Sequence, residues 1–180
     1  MEKAQKIGYG LITISVILMI FGSIGYTVEG DVNDVPALTV PDFVFFSDEP
    51  LPSNPAGLFF TADAHITWDR DDIFLVISDL ETKRECDNTP AGLGGFGGIT
   101  SCNSANIDSV AGGANDNNVD GIKWNVESGE YYVGIGSKEQ AIPQGVDINV
   151  HYKVDIGFSF VSYLVCTLIA ATGLAYARFS

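Results

Sequence analysis

Oxygen-bearing side chains alternate along the segment 116–121, Asp-Asn-Asn-Val-Asp-Gly, and a glutamate follows at position 127. The spacing matches the pattern D-x-N-x-D-G-x5-E, in which alternate oxygens converge on a hard cation and the glycine permits a sharp turn. This spacing makes the segment a candidate calcium site. The predicted ligands are Asp116, Asn118, Asp120, the carbonyl oxygen of Ile122, and Glu127. The alternative is a plain Asn/Asp-rich turn, because this composition is typical of turns.

The loop resembles that of the EF-hand family, which implies calcium binding, but the residues on either side of it depart from the family's pattern. Residues 109–114 precede it and contain two adjacent glycines, so they would form a poor helix. Residues 122–126 follow it and alternate like a strand, and Lys123 stands where an apolar residue is usual. The sequence therefore predicts a calcium site in a loop next to a strand and not an EF-hand fold.

Two of the three cysteines fall in the polar middle of the chain. Cys86 and Cys102 are predicted to form a disulfide, whereas Cys166 lies in an apolar run near the C-terminus. The bond would contribute about 3 kcal/mol by closing a loop in the unfolded chain. This loop contains the glycine-rich segment 91–98, which we interpret as a stapled surface loop; a partner-binding tip around Phe96 is the alternative. The segment lacks the Lys-Ser/Thr pair of a phosphate-binding loop.

The chain is predicted not to be an enzyme. Its only histidines, His65 and His151, fall on the polar faces of predicted strands and are too few for a zinc or copper site. The residues around Ser78, Ser101 and Ser137 do not form the nucleophile elbow of a hydrolase. Calcium is thus the only cofactor that the sequence predicts.

Two long runs without a charged residue, 7–28 and 156–177, frame the chain. At a rise of 1.5 Å per residue, each reaches about 33 Å as a helix, which is enough to cross a bilayer core of about 30 Å. The predicted transmembrane helices are 7–28 and 155–177. A cleaved signal peptide is the alternative for the first run, but its apolar stretch exceeds the 7–15 residues of such peptides.

Charge sets the predicted orientation of these spans. Lys3 and Lys6 precede the first run and Arg178 follows the second, so the positive-inside rule places the tails 1–6 and 178–180 in the cytoplasm. The segment between the runs carries 22 of the 23 acidic residues and 6 of the 9 basic ones, and it is predicted to lie outside the membrane. So acidic a surface repels nucleic acid, which excludes a nucleic-acid partner.

The segment 29–154 is predicted to be one extracytoplasmic domain. Alternating residues indicate strands at 62–68, 122–126, 131–137 and 146–154, and a continuous apolar run at 73–77 indicates a central strand. A polar stalk is predicted at 29–34 and a hairpin turn at 70–71, where Asp69, Asp71 and Asp72 form a solvated acidic cluster. The fold class is therefore mainly β: an antiparallel β-sandwich, jelly-roll or immunoglobulin-like, flanked by an N-terminal and a C-terminal transmembrane helix.

The absence of a catalytic constellation favours a non-catalytic accessory or structural subunit of a membrane assembly. Small residues at Ala171 and Ala175, and at Gly173 and Ala177, have the spacing that lets helices approach closely in lipid. They predict packing of the two spans on each other, on other membrane subunits or on a second copy. The alternative function is an extracytoplasmic binding module, such as an adhesin, a sensor or a cargo-receptor-like protein, which could depend on calcium.

Overall fold

The computed structural model describes residues 2–36, 41, 43–87, 102–138 and 146–179. Its elements, in chain order, are α1 (Glu2–Ile24), β1 (Tyr26–Pro36), β2 (Val44–Phe46), β3 (Phe60–Trp68), β4 (Ile73–Asp79), α2 (Leu80–Asp87), β5 (Ala111–Gly112), β6 (Ile122–Asn125), β7 (Tyr131–Ser137), β8 (Asp147–Phe158) and α3 (Phe160–Phe179). The glycine-rich segment 91–98, including Phe96, and Ser101 lie outside the described residues.

Helices α1 and α3 are long and apolar enough to cross a membrane, with mean hydropathies of 2.2 and 1.8. Helix α1 ends before the predicted boundary at residue 28 because Gly25 adopts φ 70°, a conformation that terminates helices, and donates its N–H to the carbonyl of Phe21. Helix α3 begins later than residue 155 because β8 continues to Phe158 and Ser159 then caps the helix, accepting a hydrogen bond from the N–H of Ser162.

Within the described residues, eight strands form two four-stranded antiparallel sheets. The strand order is β1-β8-β3-β6 in the first sheet and β2-β7-β4-β5 in the second. Residues of both sheets contribute to one core cluster: Trp68, Ile73, Leu75, Ile122 and Ile148. The predicted mainly β architecture is therefore confirmed, whereas its jelly-roll or immunoglobulin-like form is not.

Strand β4 is buried on both of its faces. Residues 73–78 are all inaccessible to solvent, which is what the continuous apolar run predicts for a central strand. Ile73 and Leu75 face the shared core, and Phe74 and Val76 form a second cluster with Val44. Loop residues 107 and 114 pack on that second cluster, so this face of β4 is covered as well.

Three local expectations were wrong. Residues 29–34 form part of β1 and not a stalk, because pairing at the sheet edge orders a polar segment that shows no apolar alternation. The turn at 70–71 is not a hairpin: it joins β3 of the first sheet to β4 of the second. Helix α2 was not expected; it begins after Asp79, whose Oδ1 accepts the N–H of Thr82 at 2.9 Å.

The chain divides into two units by its internal contacts. The helix unit comprises residues up to 28, residues 56–62 and the chain from residue 155 onward. The β unit comprises residues 29–55 and 63–154.

Candidate functional site

Within the helix unit, α1 and α3 meet at a glycine contact. A Cβ atom built at Gly8 would lie 2.5 Å from the carbonyl oxygen of Gly173, and one built at Gly173 would lie 2.7 Å from the carbonyl oxygen of Gly8. Ala177 lies against the same point of α1. The backbones therefore touch directly, which only small residues allow.

Buried residues recur along both helices, seven residues apart on α1 and four or seven residues apart on α3. Ser15 is fully buried on α1, and Ser162, Cys166 and Gly173 are buried on α3. Ser15 Oγ donates to the carbonyl of Leu11 at 2.9 Å, so this buried hydroxyl is satisfied within its own helix. The remaining helix surface is largely apolar and exposed: Ile14, Ile17, Leu18, Ile20, Phe21, Leu164, Leu168 and Leu174. Such side chains are suited to a lipid environment and not to water.

In the β unit, the predicted calcium loop is organised by Asn117. Its Oδ1 accepts the N–H groups of Val119 and Asp120 at 3.0 and 2.7 Å, and its Nδ2 donates to the carboxylate of Asp120 at 2.6 Å. Gly121 has φ 63° and lies so close to the carbonyl of Ile66 that a Cβ there would approach it to 2.3 Å. A tight Asx turn is therefore the local structure, with glycine required after it.

The predicted ligands are placed in different environments. Asp116 accepts a hydrogen bond from Lys138 Nζ at its carbonyl oxygen (2.9 Å), Ile122 is buried in β6, and Glu127 is exposed after that strand. Over the described part of the chain, no group of three or more His, Cys, Asp or Glu side chains could hold a metal ion. Calcium binding stays a prediction, and titration is its test.

Both histidines are used in structural contacts of the first sheet. His65 donates from Nε2 to the carbonyl oxygen of Asp120 at 2.7 Å and so links β3 to the segment 116–121. His151 on β8 donates from Nδ1 to Asp31 Oδ1 on β1 at 2.9 Å. These hydrogen bonds position the carbonyl of Asp120 and the carboxylate of Asp31. The sequence predicted that both histidines lie on polar strand faces, but it did not predict their hydrogen-bond partners.

Polar pairs connect the strands across the exposed face of this sheet. Lys153 lies 3.3 Å from Glu29, Asn149 donates to Asp69 at 2.8 Å, and Asn125 donates to Asp63 at 2.8 Å.

In the connection between β3 and β4, Arg70 Nε donates to Asp72 Oδ1 at 2.8 Å and a second hydrogen bond joins the same side chains. These hydrogen bonds hold the pKa of Asp72 below its ordinary value and raise the pKa of Arg70. Of the predicted acidic cluster, Asp72 is thus paired within the connection and Asp69 with a strand that is distant in the sequence.

The predicted disulfide between Cys86 and Cys102 is confirmed, with the Cα atoms 5.1 Å apart. Cys86 lies in the last turn of α2, and the carbonyl of Cys102 accepts the N–H of Val44 at 3.1 Å. On the same helix, Lys83 Nζ lies 5.3 Å from the centre of the Tyr132 ring on β7. The disulfide therefore links α2 to Cys102, which is hydrogen-bonded to the first residue of β2.

Comparisons with known proteins give no family. No protein-family model matches the chain, and no curated protein matches it. Among solved structures, the chain is similar to a periplasmic inhibitor of g-type lysozyme from Aeromonas hydrophila. The identity is 10%, the TM-score is 0.33, and the match covers 76% of this chain and 90% of that chain. A similarity at this level is too low to indicate a shared function.

Proposed function

We propose that the protein is a non-catalytic, two-span membrane protein that holds an acidic β-rich domain on the extracytoplasmic side. Both termini then lie in the cytoplasm, as the basic residues beside the spans favour. In this role the protein is an accessory or structural subunit of a membrane assembly. The disulfide supports the orientation, because such bonds persist in oxidising compartments.

The observation that carries the proposal is the pairing of α1 with α3. Each helix buries its small residues against the other at Gly8 and Gly173 and turns bulky apolar side chains outward. In water such a surface would drive aggregation, whereas in lipid it is the expected surface of a membrane protein. Charged side chains are confined to the helix ends, at Glu2, Lys3, Lys6 and Arg178.

We also propose a jelly-roll topology for the two sheets. What supports it is the number of strands and their order, since a jelly roll has eight strands in two sheets linked by Greek-key connections. The connections β3–β4 and β6–β7 each pass from one sheet to the other, and not between neighbours in one sheet. An experimental structure of the β unit with the same two strand orders would test this proposal.

The assembly partner binds, in this proposal, at a small-residue face of α3 that α1 leaves exposed. Ala171 and Ala175 are exposed, whereas Gly173 is buried against α1. We expect Ala171→Leu/Ala175→Leu to reduce the amount of complex seen by cross-linking and native gels in mild detergent. Val165→Leu enlarges an exposed side chain of α3 that lies neither three nor four residues from either alanine, and it is the control. A strictly monomeric wild-type protein would contradict the subunit role.

Cysteine labelling in intact cells tests the orientation. In a Cys166→Ala background, we expect a membrane-impermeant maleimide to label Val119→Cys before lysis and Phe179→Cys only after lysis. Both positions are highly exposed, at 79% and 83%, so access to the reagent depends on the membrane. Labelling of position 179 in intact cells would contradict the orientation, and a protein that dissolves without detergent would contradict the spans.

A further inference from the structure

A third apolar segment belongs to the helix unit although it is remote from both spans in sequence. Residues 50–62 carry no charge in a chain whose middle is strongly acidic. Part of this segment, 56–62, groups with α1 and α3 and not with the β unit. We call residues 58–60, Leu-Phe-Phe, the aromatic tip.

The aromatic tip is hydrogen-bonded to the start of α3 through its backbone. Ser159 donates from its N–H to the carbonyl of Phe59 at 2.9 Å and from its hydroxyl to the carbonyl of Leu58. Ser162 Oγ donates to the carbonyl of Phe59 at 2.6 Å. The N–H groups of Phe59 and Phe60 donate to the carbonyl of Ala56. Backbone groups that are satisfied in this way can leave water at little cost.

Aromatic rings continue from the tip onto the helix pair. The ring of Phe60 packs edge-on against Phe158 with centroids 5.5 Å apart, and Phe158 packs in the same way against Tyr163 at 5.8 Å. The ring of Phe158 also covers Gly22 near the end of α1. The tip is therefore part of an aromatic layer at the ends of both helices where the chain leaves the apolar spans.

Several apolar side chains of this layer are exposed on the protein surface. Leu58 is 63% exposed, Phe59 43% and Phe60 39%; Tyr26, which follows α1, and Phe160, the first residue of α3, are exposed at 70% and 81%. Leu and Phe are among the residues that interfacial segments bury at the boundary between headgroups and acyl chains, and Tyr is enriched in the aromatic belt at the ends of spans. The absence of charge from 50 to 62 disfavours a charged protein surface as the occupant.

We infer that the aromatic tip is a third membrane contact, inserted at the boundary between headgroups and acyl chains of the outer leaflet. This inference rests on the proposed two-span arrangement, since the tip is attached to the first turn of α3. The tip would hold the chain near residue 59 to the lipid surface, in addition to the two helices. Its ligand is the bilayer itself, and no specific lipid is required.

Quenching by brominated lipid tests this inference. The purified full-length protein is reconstituted at a low protein-to-lipid ratio into phosphatidylcholine vesicles brominated either near the headgroup or near the bilayer centre. Leu58→Trp reports on the tip, Ile14→Trp on the middle of α1, and Val119→Trp on the exposed β unit. The signal of the native Trp68 and Trp124 is measured in the wild-type protein and subtracted.

We expect Leu58→Trp to be quenched most by the lipid brominated near the headgroup, Ile14→Trp by the lipid brominated near the centre, and Val119→Trp by neither. Phe59→Trp should behave like Leu58→Trp, and it serves as a second reporter if the first disturbs the loop. Quenching of Ile14→Trp without quenching at either tip position would overturn the third contact and leave the two spans intact. Failure to quench Ile14→Trp would instead overturn the spans themselves.

Discussion

Replacement of Gly8 by alanine should force α1 and α3 apart. The added Cβ would lie 2.5 Å from the carbonyl oxygen of Gly173 and 2.8 Å from the backbone nitrogen of Ala177. Because both are backbone atoms, no change of side-chain rotamer can relieve the overlap. Ordinary contacts of a Cβ atom begin near 3.4 Å, so the helix axes must separate by about 1 Å at this point. A gap of that size forfeits about a quarter to a half of the dispersion energy along the contact.

Gly10→Ala separates packing from helix propensity. It makes the same chemical change two residues away in α1, where an added Cβ would meet nothing within 4 Å. Both variants gain the helix propensity of alanine, which is worth up to about 1 kcal/mol over glycine. The difference between them isolates overpacking, which we expect to destabilise Gly8→Ala by about 1–3 kcal/mol.

The assay is an SDS titration of the protein in mild detergent micelles, followed by far-ultraviolet circular dichroism. Gly8→Ala should lose helix signal at a lower SDS fraction than the wild-type protein, and Gly10→Ala at the same or a higher fraction. Coincident curves for the two variants would refute the close backbone contact at Gly8, and with it the reasoning that the small residues pair the spans.

Three further outcomes are expected from the β unit. Cys102→Ser, or reduction of the wild-type protein, should lower its stability by about 3 kcal/mol in thermal melts; a melting curve insensitive to reductant would contradict a stabilising disulfide. If the predicted site binds calcium with a Kd near 1 mM, 10 mM calcium should stabilise the wild-type protein by about 1.4 kcal/mol and leave Asp120→Ala unchanged; no shift in the wild-type melt would remove calcium as a cofactor. Asp72→Asn should destabilise the protein by less than about 1 kcal/mol at neutral pH, because the paired groups are partly exposed. The folded-state pKa of Asp72 is depressed, so its contribution is present above the ordinary value of 3.8 and is lost as the pH falls through the folded pKa. The deficit of the variant should vanish in strong acid, whereas Asp71→Asn, which lacks the paired hydrogen bonds, should show a smaller deficit at neutral pH.

The elements that sequence analysis predicted are those with a strong apolar pattern. The two uncharged runs became α1 and α3, and the alternation of 62–68 and 146–154 became β3 and β8. The uninterrupted run at 73–77 indicated burial on both faces, and β4 has it. In the strands, the spacing of apolar residues along the segment predicts whether one face or both faces are buried.

The elements that were missed depend on partners distant in the sequence. Strand β1 is polar and is ordered by its neighbour β8, through pairs such as Asp31 with His151. Helix α2 is only eight residues long, and its visible signal was the capping residue Asp79. The aromatic tip was overlooked because prolines precede it, although three adjacent apolar residues at 58–60 were a usable signal. No local pattern shows which distant segment will group with α1 and α3.

The strands that end each sheet are poorly suited to recruit a strand from another molecule. Three of the four are very short: β2, β5 and β6 have three, two and four residues. The fourth, β1, is long but bears Glu29, Asp31 and Asp34, and Asp34 has the unusual φ of 58°. A short edge strand offers few unpaired backbone N–H and C=O groups, and acidic side chains on an edge strand disfavour pairing with a strand from another molecule. We therefore expect copies crowded together on one membrane to resist fibril-like joining through their sheets.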